Sequence, residues 1–213
     1  MEKKGVDRFI EPLILFMVLF FRFLPGSAPL PEVIEFSAYA EILRIFAYNL
    51  PSLALIWYLL VKSRRLRRSD VAFSPKNDFL SAALCLPALI LIGLTVFFVS
   101  RLGEVSPVQY MPPQNVISWI ILIISCFSTA YLEESYFRFY LLSKRTEMGL
   151  GVYQAVFIST VLFALCHINA GPWAFLNAAL SGTVLAFAFL RFRSLHGISF
   201  AHALYNVFVY AVG

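Results

Sequence analysis

The feature that most constrains this fold is a succession of long apolar runs separated by short polar segments. Of the 213 residues, 60% are hydrophobic and only 14% are charged, whereas a globular chain carries about 25% charged residues. Mean hydropathy is +0.79, and a helix needs about 20 apolar residues to cross a bilayer. The sequence therefore predicts an all-α, polytopic transmembrane helix bundle, with residues 1–213 forming a single integral membrane domain.

The apolar runs predict about seven spans. They cover residues 10–24, 39–61, 79–100, a long run that starts at 116 and continues toward Lys144, 152–167, 173–192 and 198–212. Residues 10–24 could instead belong to a signal peptide, but a first span is favoured because every later run is also predicted to lie in the membrane. In the second span Pro51 predicts a kink, and Glu41 and Arg44 near its start could pair at the interface.

The basic residues predict how the bundle is oriented. The N-terminus, residues 62–68, Lys144 with Arg145, and Arg191 with Arg193 all fall on one side of a seven-span chain. Cytoplasmic loops carry the excess of Lys and Arg, so the N-terminus is predicted to be cytoplasmic, in what we expect to be the cell inner membrane. The net charge of +5 is explained by these loops, and no nucleic-acid partner is expected.

The three cysteines lie in apolar runs, at positions 85, 126 and 166. Their spacing fits no zinc motif, and their odd number cannot form a complete disulfide set. We expect Cys85, Cys126 and Cys166 to be small packing residues.

Two adjacent carboxylates and an arginine interrupt the fourth apolar run. Residues four apart share one face of a helix, so Glu134 is predicted to pair with Arg138. Glu133 is rotated by about 100° from Glu134, which leaves it the freer carboxylate. Charges inside a membrane are costly, and they usually mark a functional site.

Two later segments carry polar groups that can meet these carboxylates. Phe163 and His167 share one helical face, and His202 and Asn206 share another. Glu133 precedes Gly149 by about as many residues as His167 follows Gly151, so an antiparallel hairpin brings them to one level. His202 lies only a few residues after Gly197, the predicted end of a turn, and this places the predicted site in the cytoplasmic half of the bilayer, reached from that side.

These groups form a set suited to hydrolysis of an amide. Glu133 and His167 could activate a water molecule, and His202 with Asn206 could donate hydrogen bonds to the developing oxyanion. Alternatively, Glu133, His167 and His202 could hold a zinc ion, although no His-Glu-x-x-His run is present. Each group also has a structural alternative, as a helix lock, a cap or an interhelical hydrogen bond.

Together, these three ordered motifs resemble the CPBP family. They are Glu-Glu-x-x-x-Arg at 133–138, Phe-x-x-x-His at 163–167 and His-x-x-x-Asn at 202–206. The family contains the CAAX prenyl proteases of the Ras-converting-enzyme type and bacteriocin-processing or immunity proteins. The resemblance runs from Leu132 to Asn206, which indicates a CPBP-like catalytic core over residues 115–213, in the last four helices.

The resemblance implies an intramembrane endopeptidase. By this likeness Glu133 and His167 would activate water, His202 and Asn206 would bind the oxyanion, and Glu134 with Arg138 would support them. No cofactor is expected, with zinc as the alternative. The expected partners are the lipid bilayer and a peptide substrate, such as a prenylated or membrane-associated protein.

Two other functions fit the same residues. One is a non-catalytic membrane immunity or scaffold protein of the same fold. The other is a proton-coupled transporter that uses buried Glu and His as a relay, and this is disfavoured because the sequence shows no inverted repeat.

Overall fold

The computed structural model describes residues 7–24, 33–62, 72–102 and 108–212. The described part of the chain contains seven helices and one pair of short strands. The helices are α1 (Asp7–Phe20), α2 (Ala38–Lys62), α3 (Pro75–Ser100), α4 (Val116–Leu141), α5 (Val152–Leu165), α6 (Pro172–Phe192) and α7 (Leu195–Val212). Strand β1 (Val33–Ile34) pairs in parallel with β2 (Gln109–Tyr110), and a 3₁₀ turn, Phe21–Phe23, follows α1.

The prediction of an all-α polytopic membrane bundle is confirmed. Five helices, α2, α3, α4, α6 and α7, are long and apolar enough to cross a membrane. Their outward faces are apolar, with Phe98, Leu91 and Val116 all at least 65% exposed. Helices α1 and α5 have 14 residues each, or about 21 Å, which is shorter than a bilayer core. Seven complete crossings therefore remain a prediction.

Helix α1 is part of the core of the bundle. Phe16 and Phe20 are buried, and their rings pack against Tyr136 and Phe137 of α4. The Tyr136 hydroxyl donates a hydrogen bond to the Pro12 carbonyl, at 2.7 Å. These contacts fix the N-terminal helix beside the second half of α4.

Helix α2 contains a π-helical turn, Arg44–Asn49, directly before Pro51. Proline has no N–H, and its ring crowds the carbonyl four residues earlier. Local π-helical adjustments accommodate the backbone groups that a proline frees in a membrane helix, so this turn is consistent with the disturbance at Pro51, and the kink itself stays a prediction. The predicted Glu41–Arg44 pair is confirmed at 3.1 Å. Glu41 is buried, however, and accepts a hydrogen bond from Ser125 of α4, so the pair also joins two helices.

The hairpin between α4 and α5 turns at the glycines that the sequence indicated. Gly149 adopts a positive φ of 72°, a conformation that glycine takes without strain, and Gly151 precedes the first turn of α5. Lys144 was predicted to be one of the basic loop residues on the cytoplasmic side. Its side chain is instead 5% exposed and forms an ion pair with Glu11 of α1.

Helix α7 begins earlier than predicted, at Leu195 rather than at Ile198. The chain reverses at Arg193, which has a φ of 52°, so Gly197 lies inside the first turn of the helix. A methyl group on Gly197 would collide with the Asp78 carbonyl of α3 and would lie 2.8 Å from Ser81 Cβ. Glycine at this position therefore allows α3 and α7 to approach closely.

We expect Gly197→Ala to lower the free energy of unfolding by about 1–3 kcal/mol, because overpacking a close helix contact forces the backbones apart. Gly151→Ala is the matched control, since its added Cβ would meet only Gln154 Oε1, at 3.5 Å. Thermal unfolding of both variants in detergent micelles measures the difference. Equal midpoints for the two variants would contradict the packing role of Gly197.

Candidate active site

The adjacent carboxylates of α4 face different surroundings. The side chain of Glu134 is 0% exposed and that of Glu133 is 15% exposed. Consecutive helical residues point about 100° apart, so one side chain enters the protein interior while the other lines a cavity. Immediately after Glu134 the helix changes to a π-helical turn, Ser135–Leu141, in which every residue is buried.

Glu134 accepts two hydrogen bonds through the same oxygen. Its Oε1 lies 3.1 Å from an Arg138 guanidinium nitrogen and 2.8 Å from His202 Nδ1. Arg138 also donates to the Gly182 carbonyl at 3.1 Å, and its guanidinium lies 4.4 Å from the Phe163 ring centroid. The predicted Glu134–Arg138 pair is therefore confirmed. The bond to His202, which joins α4 to α7, was not predicted.

His202 lies between the two carboxylates. The ionised Glu134 can only accept, so Nδ1 carries a proton in this hydrogen bond. The other ring nitrogen, Nε2, lies 3.6 Å from Glu133 Oε2, which is longer than a hydrogen bond but close enough for electrostatic attraction. Glu134 thus fixes the orientation of the His202 ring and directs Nε2 toward Glu133.

His167 is held by its own segment of chain. It was predicted as the last residue of the fifth helix, but α5 ends at Leu165 and His167 lies in the turn that follows. Its Nδ1 is 3.0 Å from the Phe163 carbonyl. A carbonyl only accepts, so this bond leaves a lone pair on Nε2 in the neutral ring. The Phe163 ring packs against both histidine rings, with centroids 4.8 Å from His167 and 5.8 Å from His202.

One cavity of about 940 Å³ brings the predicted residues together. Glu133, His167, His202 and Asn206 all line it. Glu133 and His167 share this space without bonding to each other. Asn206, one helical turn after His202, has no side-chain hydrogen bond to any other residue that the structure describes. Glu134 and Arg138 lie behind the lining, where they hold His202.

The described cavity extends toward one end of the bundle. Glu133 and His202 form its floor, and its lining continues to the end of the bundle where α3 ends and α4 begins. Arg101, Gln109 and Tyr210 lie at that end, which we call the mouth. The basic residues near Lys144 and Arg191 belong to the opposite end. Access from the basic side stays a prediction, because residues 63–71 of the predicted basic loops lie outside the described residues.

Sequence reasoning missed the contribution of the first three helices. Arg22, Tyr48 and Asn49 also line the cavity. Asn49 donates hydrogen bonds to Ser128 and Thr129 of α4, at 2.7 and 2.9 Å. An asparagine inside an apolar run is an available signal for such a contact, because amide side chains join helices in membranes. Arg22 interrupts the first apolar run, and a charge at such a position is also an available signal, whereas Tyr48 carries no comparable signal.

The cysteines and the zinc alternative can be compared with the geometry. Cys85, Cys126 and Cys166 are unpaired thiols, and the first two are buried.

Within the described ranges, no group of three or more His, Cys, Asp or Glu residues is arranged to hold a metal ion. Both Nδ1 atoms of the site histidines are already engaged by Glu134 and the Phe163 carbonyl. A metal-ligating histidine commonly donates its other ring N–H to such a partner, so the zinc alternative stays a prediction.

Comparison with known proteins addresses the same part of the chain. Residues 115–208 match the family model described as type II CAAX prenyl endopeptidase Rce1-like. This match confirms the resemblance indicated by the three motifs, and it indicates a membrane protease, which is a hydrolase. The comparison with curated proteins gives no match, and neither does the comparison with solved structures.

We expect Arg138→Leu to destabilise the fold by about 3–5 kcal/mol, because it leaves the buried carboxylate of Glu134 without its cation. The double variant Glu134→Gln/Arg138→Leu removes both charges and should recover a large part of this loss. Chemical unfolding in micelles measures the two variants beside the wild type. If the double variant is no more stable than Arg138→Leu, the pair is not the source of the destabilisation.

Proposed function

We propose that this chain, whose residues 115–208 match the Rce1-like CAAX endopeptidases, is an intramembrane endopeptidase that uses water activated by Glu133 and His167. The observation that carries the proposal is the shared cavity. Four polar side chains from three separate segments line one largely apolar space. A concave apolar pocket with a few convergent polar groups is the usual form of an active site.

Glu133 and His167 are suited to activate the nucleophile. Glu133 is an acceptor on the cavity surface, and His167 presents the Nε2 lone pair that its Nδ1 hydrogen bond leaves available. A water molecule bound here would transfer a proton to Glu133 as its oxygen attacks the peptide carbonyl carbon. The proton then passes to the leaving nitrogen as the C–N bond breaks, so one residue serves as base and then as acid.

His202 and Asn206 are suited to bind the oxyanion. When His202 is protonated, it donates Nδ1–H to Glu134 and has Nε2–H available for the substrate oxygen. The Asn206 amide can supply a second donor from the same helix face. Donors fixed before the reaction stabilise developing charge without having to reorganise. In this mechanism Glu134 and Arg138 are positioning residues, since they act through His202.

The mechanism requires no metal, and we propose a glutamate-type protease. Glu133 supplies the negative charge and His202 can supply a balancing positive charge, so the pair can activate water and stabilise the oxyanion. The substrates we propose are CAAX-like or other membrane-associated peptides, because an apolar cavity within a bundle suits a chain already at the lipid.

The location of the scissile bond follows from helix lengths and from the predicted orientation. Glu133 lies eight residues before Leu141, where α4 ends, or about 12 Å from that end of the bundle. We place the protein in the cell inner membrane, with its basic loops in the cytoplasm. The reaction then takes place in the cytoplasmic half of the bilayer. The mouth of the cavity then faces the other side.

Hydrolysis of a quenched fluorescent prenylated CAAX peptide tests the proposed activity. Glu133→Gln should lower kcat about 10²–10⁴-fold, the usual contribution of a general base, while a chelator should leave wild-type activity unchanged. Glu147→Gln, at the exposed hairpin tip, is the matched control and should retain activity. Loss of cleavage with chelator and its return with zinc would instead establish a metalloprotease. Full activity of Glu133→Gln would refute the glutamate mechanism.

Cysteine labelling tests the orientation separately. Leu102→Cys and Thr146→Cys are placed one at a time in a chain whose three native cysteines are replaced by Ala. Both positions are exposed, Leu102 at 88%, and they lie at opposite ends of the bundle. A membrane-impermeant maleimide added to intact cells should label position 102 only. Labelling of position 146 alone would show that the bundle has the opposite orientation.

A further inference from the structure

One wall of the cavity carries two polar side chains that the proposed mechanism does not use. Asn177 and Ser181 lie one turn apart on α6, and both line the cavity. Residues four apart share one face of a helix, so both belong to the face of α6 that borders the cavity. Two neighbouring lining residues, Ala174 and Ala178, are small, which allows the backbone of a bound chain to approach this face closely.

The Asn177 amide is held by a pair of hydrogen bonds with Tyr205 of α7. Asn177 Nδ2 donates to the Tyr205 hydroxyl at 2.9 Å, and this hydroxyl donates to Asn177 Oδ1 at 3.1 Å. Tyr205 is 6% exposed, and its hydroxyl packs against Gly93 of α3, where an added Cβ would lie 2.5 Å from it. A glycine inside a helix costs about 1 kcal/mol relative to alanine, and here it makes room for the tyrosine. The pair therefore joins α6 to α7, against α3, and fixes the amide in the cavity wall.

Tyr205 uses only part of the hydrogen-bonding capacity of Asn177. An asparagine side chain offers two N–H donors and two lone pairs on its oxygen. Among the described residues, the side chain of half-buried Asn177 bonds to Tyr205 alone, which leaves one donor and one acceptor for a ligand. A peptide group presents the same combination, one C=O and one N–H. Asn177 is therefore suited to bind the backbone of a peptide.

Ser181 offers a second polar group at the level of the floor. It is 5% exposed, and its Oγ has no hydrogen-bond partner within the part of the chain that the structure describes. A buried hydroxyl without a partner is costly, and most such groups in native proteins have one. The next residue, Gly182, accepts a hydrogen bond from Arg138, the partner of Glu134. A chain bound across the floor would therefore lie beside the Ser181 hydroxyl.

The spacing of the two groups matches an extended peptide. Asn177 and Ser181 are four residues apart on α6, a rise of about 6 Å, and Asn177 is nearer the mouth because it lies farther from Arg191. An extended chain rises about 3.2–3.4 Å per residue and alternates the direction of its groups, so groups that face the same way recur about every 6.4–6.8 Å. An extended substrate can therefore bond to both side chains from every second residue.

We propose that Asn177 and Ser181 form a backbone-binding strip, which holds the substrate extended along α6 by hydrogen bonds to two of its residues, spaced two apart. The inference rests on the proposed peptidase function and adds a substrate-positioning site to it. Main-chain hydrogen bonds give affinity without reading the side chains, so the strip accepts different sequences. A helical segment pairs its own N–H and C=O groups, so it has to unwind before it binds here.

Backbone esters test the strip independently of cleavage. A set of fluorescent prenylated CAAX peptides is made in which one amide at a time is replaced by an ester, which removes the N–H and weakens the carbonyl as an acceptor. Anisotropy titrations use the Glu133→Gln variant in neutral detergent, so that cleavage is suppressed. At two positions, two residues apart, the ester should bind about three- to tenfold more weakly than the all-amide peptide, as expected for one lost hydrogen bond.

Two variants assign these positions to the side chains. Asn177→Leu/Tyr205→Phe removes both members of the buried pair, so neither is left unpaired, and it should bring the affinity ratio of amide to ester to near unity at one position. Ser181→Ala should do the same at the other position, and it breaks no hydrogen bond among the described residues. Thr183→Val is the matched control on α6. Thr183 donates to the Ala179 carbonyl at 2.8 Å and lies outside the cavity lining, so this variant should preserve both ratios.

The inference fails if either variant changes the affinity ratio at no position, if the two affected positions are not two residues apart, if Thr183→Val also abolishes the ratios, or if no peptide binds. An equal loss of affinity for amide and ester peptides is the result expected of a merely structural role. Wild-type hydrolysis that depends on Glu133 but shows no ester position coupled to either variant overturns the strip and leaves the peptidase proposal intact. Coupled binding without any hydrolysis by the wild type supports the strip and refutes the peptidase.

Discussion

A single buried oxygen, Glu134 Oε1, connects the helices that form the site. It accepts hydrogen bonds from Arg138 on its own helix and from His202 on α7. Arg138 continues to the Gly182 carbonyl on α6 and lies over the Phe163 ring of α5. A carboxylate in a membrane interior is tolerated only with such partners, so α5, α6 and α7 are all packed around it. The orientation of His202 depends on this arrangement.

The helices could be predicted well because each apolar run is long and is bounded by proline, glycine or basic residues. Helix α6 begins one residue before the predicted start and ends at the predicted Phe192. The predicted helix boundaries were wrong where a residue has a structural role other than the one predicted from the sequence. Gly197 was interpreted as the end of a turn, but the turn is made by Arg193 and glycine is needed for contact with α3. The π-helical turn after Glu134 could not be predicted. It changes the spacing of the backbone hydrogen bonds without any change in the pattern of apolar residues in the sequence.

The candidate site was predicted only in part, for a similar reason. Spacing places Glu134 and Arg138 on one helix face, and this pair is present. Spacing within α7 cannot show which face meets α4, so the bond between Glu134 and His202 required the packed structure. The direction of the cavity also depends on helices whose sequences carry no motif. Tyr48 lies in an ordinary apolar run, and only its contact with Arg22 and its place in the cavity lining distinguish it.

The short strand pair at the mouth has a consequence for how the cavity exchanges its contents. Ile34 and Tyr110 come from chain segments that connect different helices, and both line the cavity. Among the described residues, two residue pairs and a hydrogen bond from the Met111 N–H to the Ile34 carbonyl hold the strands together, and a two-stranded ribbon is by itself marginally stable in water. Separating them costs about 0.5–1.5 kcal/mol for each hydrogen bond lost, far less than parting two packed helices. Thermal motion can therefore separate the two strands and widen the mouth for a bulky substrate, while the buried charged residues at the floor remain in place.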